Sequence, residues 1–392
     1  MAAFFITLGI FLLLQIGHSR YLIREFPRLR PLWVRVGLLV FHLPLIGYFL
    51  LRLTGNTTLW ILEVLRPLAR LGFYFQAITI VHLCSAAVGH LLWRRWSRTQ
   101  DPEPGPEDPS RRAFLRGSAT VGAGAALATS LVGAASAFGD PEVTQLDLAF
   151  PDLPQGLHGL RIAQLSDLHA GPMISAEVMA RWRRALDAQR PDLIVITGDL
   201  VDSRPEELFP LLGAFHDIQA PLGVHAILGN HDYFTDPVPI WASLNQAGIG
   251  CLENRHVLLN RNGASFALIG LQDPMARNGR FRGIAFGPGP DVKAATQGLP
   301  SGVFSICLNH RPSDWPLAKA TGARLTLSGH THGGQINVIP GVNSARFLGP
   351  YTGGLYREEG QCLYVSRGLG VVALPMRLNA PPELPVIRLL KG

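Results

Sequence analysis

Charge is what this sequence has least of. Only 16% of its 392 residues are Asp, Glu, Lys or Arg, against roughly 25% in an ordinary soluble domain. With 47% hydrophobic residues and a mean hydropathy of +0.21, that scarcity excludes a disordered chain and argues against a wholly soluble one. Cysteine is sparse as well: there are four, with no Cys-x-x-Cys pair. Cys84 falls in an apolar run, so Cys251, Cys307 and Cys362 allow at most one disulfide. Cys307 sits inside an apolar stretch and reads as a core residue. No internal repeat is found.

The net charge is +7 and the isoelectric point about 9.6, values that on their face point to nucleic acid or anionic lipid. The excess is local. Fourteen Arg face six acidic residues in the first 117 positions, and the remainder nets −1. The larger part of the chain therefore lacks the basic cleft a nuclease needs, and no nucleic acid is expected as a partner.

Residues 1–17, 36–51 and 71–93 are almost unbroken apolar runs. Each approaches the roughly 20 residues a bilayer-spanning helix requires. Residues 59–70 alternate apolar side chains with Glu63, Arg66 and Arg70, the pattern of an interfacial helix. Residues 101–108, all Pro, Glu, Asp and Gly, read as a linker. Ser110-Arg111-Arg112-Ala113-Phe114-Leu115-Arg116 resembles a twin-arginine translocation signal. A mildly apolar segment follows at 118–137 and closes on Ala135-Ser136-Ala137, a small-residue cleavage pattern. The alternative is a basic pair ahead of a fourth ordinary span. The expected organisation is a membrane region (1–100), a linker with the twin-arginine motif (101–117), a signal-like or fourth span (118–138) and one large domain (139–392). Arg20, Arg24, Arg28, Arg30 and Arg35, and again Arg94, Arg95, Arg98, Arg111, Arg112 and Arg116, mark two cytoplasmic connections. The expectation is a multi-pass protein of the cell membrane, exported with the twin-arginine machinery as partner, its large domain extracytoplasmic. That pathway moves folded proteins, which suits a large domain that folds before export.

From Asp140 onward, short Val, Ile and Leu runs alternate with Gly, Pro, Asn and Asp. Strands are expected at 161–165, 193–197, 224–228, 266–271, 303–308, 325–327, 363–366 and 385–389, with helices at 176–188 and 206–215. The alternation predicts one α/β sandwich or layered domain of roughly 250 residues. Polar blocks cluster where the runs end: Ser166-Asp167-Leu168-His169, Gly198-Asp199-Leu200-Val201-Asp202, Gly229-Asn230-His231-Asp232, Asn309-His310-Arg311 and Gly329-His330-Thr331-His332-Gly333-Gly334-Gln335. Loops past strand carboxyl ends are where α/β sheets build sites. Residues two apart in extended chain point the same way, so Asp167 with His169, and His330 with His332, can share a site. Carboxylate, imidazole and amide oxygen together suit divalent Mn, Fe, Zn or Ni. The set exceeds one tetrahedral ion, and two ions sharing a carboxylate is the economical reading.

The order Asp-x-His, Gly-Asp-x-x-Asp, Gly-Asn-His-Asp, His, Gly-His-x-His resembles the calcineurin-like metallophosphoesterase superfamily over residues 159–335. The Gly-His-Thr-His-Gly-Gly-Gln form, Tyr364-Val365-Ser366-Arg367-Gly368 and Pro381-Pro382-Glu383 are similar to its bacterial membrane-associated phosphodiesterase branch. The resemblance implies a four-layer α/β/β/α fold, a β-sandwich flanked by helices. It implies that Asp167, His169 and His332 hold one ion, that Asn230, His310 and His330 hold the other, and that Asp199 bridges. It further implies hydroxide activated by two metals, Asn230 touching a phosphate oxygen, and His231 protonating the leaving group with Asp202 orienting it. A turn-capping carboxylate is the other reading of Asp202. Asp232 is a supporting partner or a helix cap, Asp273 stands near the site, and Arg311 and Arg367 are phosphate contacts or surface residues. The expected substrate is a phosphodiester or lipid-linked phosphate. The alternatives are a nucleotide-linked lipid pyrophosphate and a non-catalytic metal-binding sensor or scaffold.

Overall fold

The computed structural model describes residues 59–97, 109–171, 173–278, 284–337 and 342–392, with residues 16–24 and isolated positions up to 47. The expected span at 36–51, most of that at 1–17 and the linker at 101–108 lie outside the described residues, as do the side chains of Arg111 and Arg112.

The chain divides into two compact units, Met1–Gly133 and Ala134–Gly392. In the first, α1 (Leu59–Ser97) runs for 39 residues, and α2 (Pro109–Phe138), 30 residues long, begins there and ends in the second. Among the described residues two stretches, Arg70–Leu92 and Ala113–Phe138, are long and apolar enough to cross a membrane. Residues 59–70 do not form a separate interfacial helix. They belong to the one continuous helix that carries the apolar stretch Arg70–Leu92, and Gly72 does not end it. A Cβ added at Gly122 would collide with Ser85, and one at Gly89 would lie 3.1 Å from Ser118 Cβ. The two helices therefore approach through small residues, as membrane helices do.

The second unit is mixed α/β and contains two six-stranded sheets. Its strands are β1 (Glu142–Phe150), β2 (Arg161–Leu165), β3 (Leu193–Thr197), β4 (Val224–Ile227), β5 (Gly250–Cys251), β6 (Arg255–Arg261), β7 (Ala264–Gly270), β8 (Phe304–Leu308), β9 (Leu325–Ser328), β10 (Gly354–Glu358), β11 (Gln361–Val365) and β12 (Glu383–Lys391). The sheet orders are β1-β12-β2-β3-β4-β5 and β10-β11-β9-β8-β7-β6. Strands β2 to β5 run parallel in the first sheet, and β7, β8, β9 and β11 run parallel in the second. The helices of this unit include α3 (Ala176–Gln189), α4 (Leu208–Ala214), α5 (Asn230–Phe234), α6 (Pro237–Gln246), α7 (Met275–Asn278), α8 (Val292–Ala295) and α9 (Trp315–Ala320).

Alternation along each strand divides the apolar side chains between two faces. Ile162, Val195 and Ile227 of the first sheet meet Phe266, Ile306 and Leu327 of the second in a core between the sheets. Ala163, Ile194 and Ala226 face the other way, onto Trp182 of α3, Leu211 of α4 and Ile240 of α6. Ile269, Cys307 and Val365 do the same on the second sheet, against Trp315 and Ala318 of α9. The site-bearing loops thus leave strands that are packed on both faces. Cys251, Cys307 and Cys362 are buried free thiols.

Candidate metal centre

The loops after β2, β3 and β9 turn at conformationally costly residues. Asp167, His169, Asp199, His330 and His332 all have φ between +42° and +72°, a region that non-glycine residues seldom occupy and that concentrates at functional sites. Backbone hydrogen bonds fix these turns. Asp167 N donates to the Gly198 carbonyl at 3.0 Å, His169 N to that of Asp199 at 3.0 Å, and Ala170 N to that of Leu200 at 2.8 Å. The carboxylates tie loops from different strands together. Asp167 Oδ1 accepts from His330 N at 2.9 Å, joining the β2 loop to the β9 loop across the two sheets. Asp199 Oδ1 accepts from His231 N at 2.8 Å.

Three groups of side chains result, each with its potential ligand atoms within 4.8 Å of one another: Asp167, His169 and His332; Asp199, His310 and His330; and His169, Asp199 and His231. His169 Nε2 and His332 Nε2 stand 3.0 Å apart. His169 Nε2 lies 3.6 Å from Asp199 Oδ2, and His332 Nε2 lies 3.6 Å from Asp167 Oδ1. His310 donates from Nδ1 to the Thr197 carbonyl at 2.8 Å, which aims its Nε2 at Asp199 Oδ2, 3.3 Å away, and at Asn230 Oδ1, 3.2 Å away. Asp199 is common to two of these groups and faces His310 as well as His169.

The electrostatics suit a cation. Burial, with His231 beside it, holds the His169 imidazole down to about 4, and burial with His310 holds His330 down to about 3. Burial, with His169 and Arg377 nearby, keeps His332 well below its usual value. These rings are neutral donors at pH 7. Burial pushes Asp167 up to about 6, with Asp199 adding to the rise and His310 opposing it. Burial alone would raise Asp199 too, but the His310 ring outweighs it and holds that carboxyl low. Burial would lower His310 as well, but Asp199 and Asp167 raise it to about 10, so that ring shares a proton with Asp199 that a divalent ion would displace. The residues therefore fit divalent metal.

His231 is anchored differently from expectation. Its Nδ1 donates to the main-chain carbonyl of Asp202 at 2.8 Å, while the Asp202 carboxylate stands 3.8 Å away. The ring lies against His169 and Phe234 and is half-buried. Burial would lower its pKa, but Asp199 and the Asp202 carbonyl and carboxylate reverse this, and the net shift is upward.

Asp232 is both a cap and a clamp. Its carboxylate accepts from Gly229 N at the start of α5, at 2.9 Å, and from Leu200 N and Val201 N in the β3 loop at 3.0 and 3.1 Å. Asp273 pairs bidentately with Arg311, at 2.7 and 3.2 Å, so that arginine is engaged by a buried carboxylate. Arg367 reaches Glu142 at 2.9 Å and Glu383 at 3.4 Å, at the edge of the sheet.

One supporting residue, Arg377, escaped the sequence reading, and Glu383 entered it only as part of a motif, without a role. Arg377 is fully buried and donates to the carbonyls of Gly370, Ala380 and Arg367, with Nη2 3.2 Å from His332 Nδ1. An arginine following the apolar run 371–376 was the available signal. Glu383 accepts from Tyr364 Oη at 2.6 Å, Thr144 Oγ1 at 2.7 Å and Arg367 N at 2.8 Å.

Comparison with known proteins follows the same residues. A model of the calcineurin-like phosphoesterase family matches residues 160–334. A Danio rerio "transmembrane protein with metallophosphoesterase domain" is 33% identical over 262 residues, covering 65% of this chain and 59% of its own. Its Bos taurus namesake is 32% identical over 290 residues, covering 71% of this chain and 64% of its own. The Bacillus subtilis "uncharacterized metallophosphoesterase YkuE" is 32% identical over 306 residues, covering 71% of this chain and 97% of its own. The chain thus spans less than two thirds of the two vertebrate relatives and nearly all of the bacterial one.

Proposed function

The chain belongs to the calcineurin-like phosphoesterase family, and from that premise we propose that it is a metal-dependent hydrolase of phosphoester bonds. The observation that carries the reading is the convergence of His169, His310 and His330 on Asp199, with Asp167 and His332 joined to the cluster through His169, from strands of both sheets. In this reading Asp167, His169 and His332 hold one divalent ion, Asn230, His310 and His330 a second, and Asp199 both. When bound, the two ions supply Lewis acidity, making water nucleophilic at neutral pH and drawing charge from the phosphoryl oxygens.

The chain's own groups do the rest. The Asn230 amide holds a phosphoryl oxygen. The oxygen of water bonds to phosphorus as the ester P–O bond breaks, and the leaving oxygen takes the proton of His231 Nε2. Its Nδ1, fixed on the Asp202 carbonyl, keeps the ring aimed. The upward shift of His231 keeps that proton available near neutral pH.

Phosphodiester or lipid-linked phosphate at a membrane is the substrate class in this proposal, with the domain outside the cell as the arginine distribution favours. Protease added outside intact cells should then degrade it; full protection contradicts that orientation. Ala137 is helical and buried in the domain's core, and Arg181 donates to the Phe138 carbonyl, which favours a chain that keeps its helices over one cleaved there. The test is hydrolysis of bis(p-nitrophenyl) phosphate by the purified full chain with Mn, beside Asp199→Asn. Turnover lost in the variant supports the proposal; no turnover by the wild type, under any divalent metal, ends it.

A further inference from the structure

We infer that the cavity beside the His330–His332 loop is the subsite for the hydrocarbon chain of a lipid phosphoester. This rests on the phosphoesterase reading and names the substrate for it. The cavity has a volume of about 390 Å³ and a mainly apolar lining, within the range of about 300–1,000 Å³ typical of small-ligand pockets. His330 and His332 are part of its lining, to which Ala345, Phe347, Leu348 and Leu374 add apolar surface. A phosphorus atom held among the proposed ligands can therefore place one ester substituent against apolar side chains.

The walls are fixed to the same loop that carries the ligands. Gln335 Nε2 donates to the Val372 and Leu374 carbonyls, both at 2.9 Å, and its Oε1 accepts from Val372 N at 2.9 Å. Asn337 Oδ1 accepts from Ser344 N at 2.9 Å, and Ser344 Oγ donates to the Gly334 carbonyl at 2.6 Å. These bonds pin the turn Ser344–Leu348, on which Phe347 is 96% exposed and Leu348 58%. Scattered exposed apolar residues are ordinary. An almost wholly exposed phenylalanine that lines an apolar cavity, on a turn anchored through Ser344, is not.

The supply of lipid is also on the chain. Two stretches are long and apolar enough to cross a bilayer, and β1 begins only three residues after α2 ends. A protein partner would have no need of the metal-ligand loop in its contact, and the shared lining by His330 and His332 favours the substrate's own chain.

The test uses the full chain in nanodiscs and a series of alkyl p-nitrophenyl phosphodiesters, methyl to octyl, kept below micelle-forming concentrations. Each methylene that enters the cavity should raise kcat/KM by up to about fourfold, levelling off when the cavity is full. Phe347→Ser with Leu348→Ser should flatten that slope, which cancels any partition of the series into the disc. Calorimetric binding of matching alkylphosphonates should show the same chain dependence without turnover. A flat wild-type slope alongside hydrolysis of the methyl ester overturns this inference and leaves the phosphoesterase reading standing. A double variant with the wild-type slope that has lost self-association overturns it too, assigning the surface to a second copy. Failure to cleave any member removes both readings.

Discussion

Gly198 offers a stringent test of how tightly the centre is built. Its φ is +91°, and an added Cβ would lie 2.6 Å from Gly229 N, 2.8 Å from Gly229 Cα and 2.8 Å from His310 Nδ1. These are roughly 0.6–0.8 Å short of ordinary van der Waals contact. Two of the three obstacles are backbone, and the third is a ring held to the Thr197 carbonyl at 2.8 Å. Gly198→Ala must therefore pay about 1–2 kcal/mol for its φ and about 1–3 kcal/mol for overpacking. Relief requires movement of Asp199, His310 or the Gly229 turn. Displacements approaching 1 Å at such a site cost about 100-fold, so kcat/KM should fall about 10- to 100-fold, with metal retained less firmly. Gly263 is the matched control, with φ of +78° at the β6–β7 turn and nothing within 4 Å of its added Cβ. Gly263→Ala should incur the backbone cost alone and keep full metal content. Thermal denaturation, metal analysis and kcat/KM on both variants separate the terms. If Gly198→Ala matches Gly263→Ala in every readout, the reasoning about a tightly packed centre is refuted.

Other predictions follow from single contacts. His231→Ala should lower kcat/KM by about 10²–10⁴-fold for diesters with alkyl leaving groups and far less for p-nitrophenyl ones, which depart without a proton. Equal losses on both would remove His231 as the donor. Glu383→Ala strips acceptors from Tyr364, Thr144 and Arg367 N, and should cost about 3–5 kcal/mol, or about 10 °C in Tm; a shift of a degree or two would contradict this. Burial raises the Glu253 carboxyl from 4.5 to about 8, against the opposing hydrogen bonds from Tyr233 and Leu228 N. The folded state then binds more protons than the unfolded one between those values, so stability falls as pH rises through that window. Glu253→Gln should gain in Tm on the wild type between pH 5 and pH 9, and parallel curves would contradict the assignment.

Much of the domain was legible because its central strands are short apolar runs that end abruptly in polar blocks. β2 and β3 begin and end where the sequence places them, since both faces are buried and the one polar residue in their interiors, Gln164, is itself buried and hydrogen-bonded to Thr197 and the Ser328 carbonyl. β1 and β6 were missed for the opposite reason. Each lies at a sheet edge with half its residues toward solvent, and β1 finds its partner β12 some 240 positions away. The ligand-type residues were visible as strand-end blocks, but the loop conformation that gathers them was not. Positive φ at Asp167, His169 and Asp199 is imposed by tertiary hydrogen bonds that leave no local mark. The same holds for Arg377, whose role depends on carbonyls brought together by three separate turns, and for the main-chain anchor of His231.

The central claim is that Asp199 is shared by two metal ions. Elemental analysis of the purified full chain, after reconstitution with Mn, Fe or Zn, tests it most directly. The account predicts two ions per chain in the wild type and fewer than about one in Asp199→Asn, because that carboxylate serves both positions. A folded wild-type chain that stays metal-free would contradict it, as would an Asp199→Asn variant that still binds two.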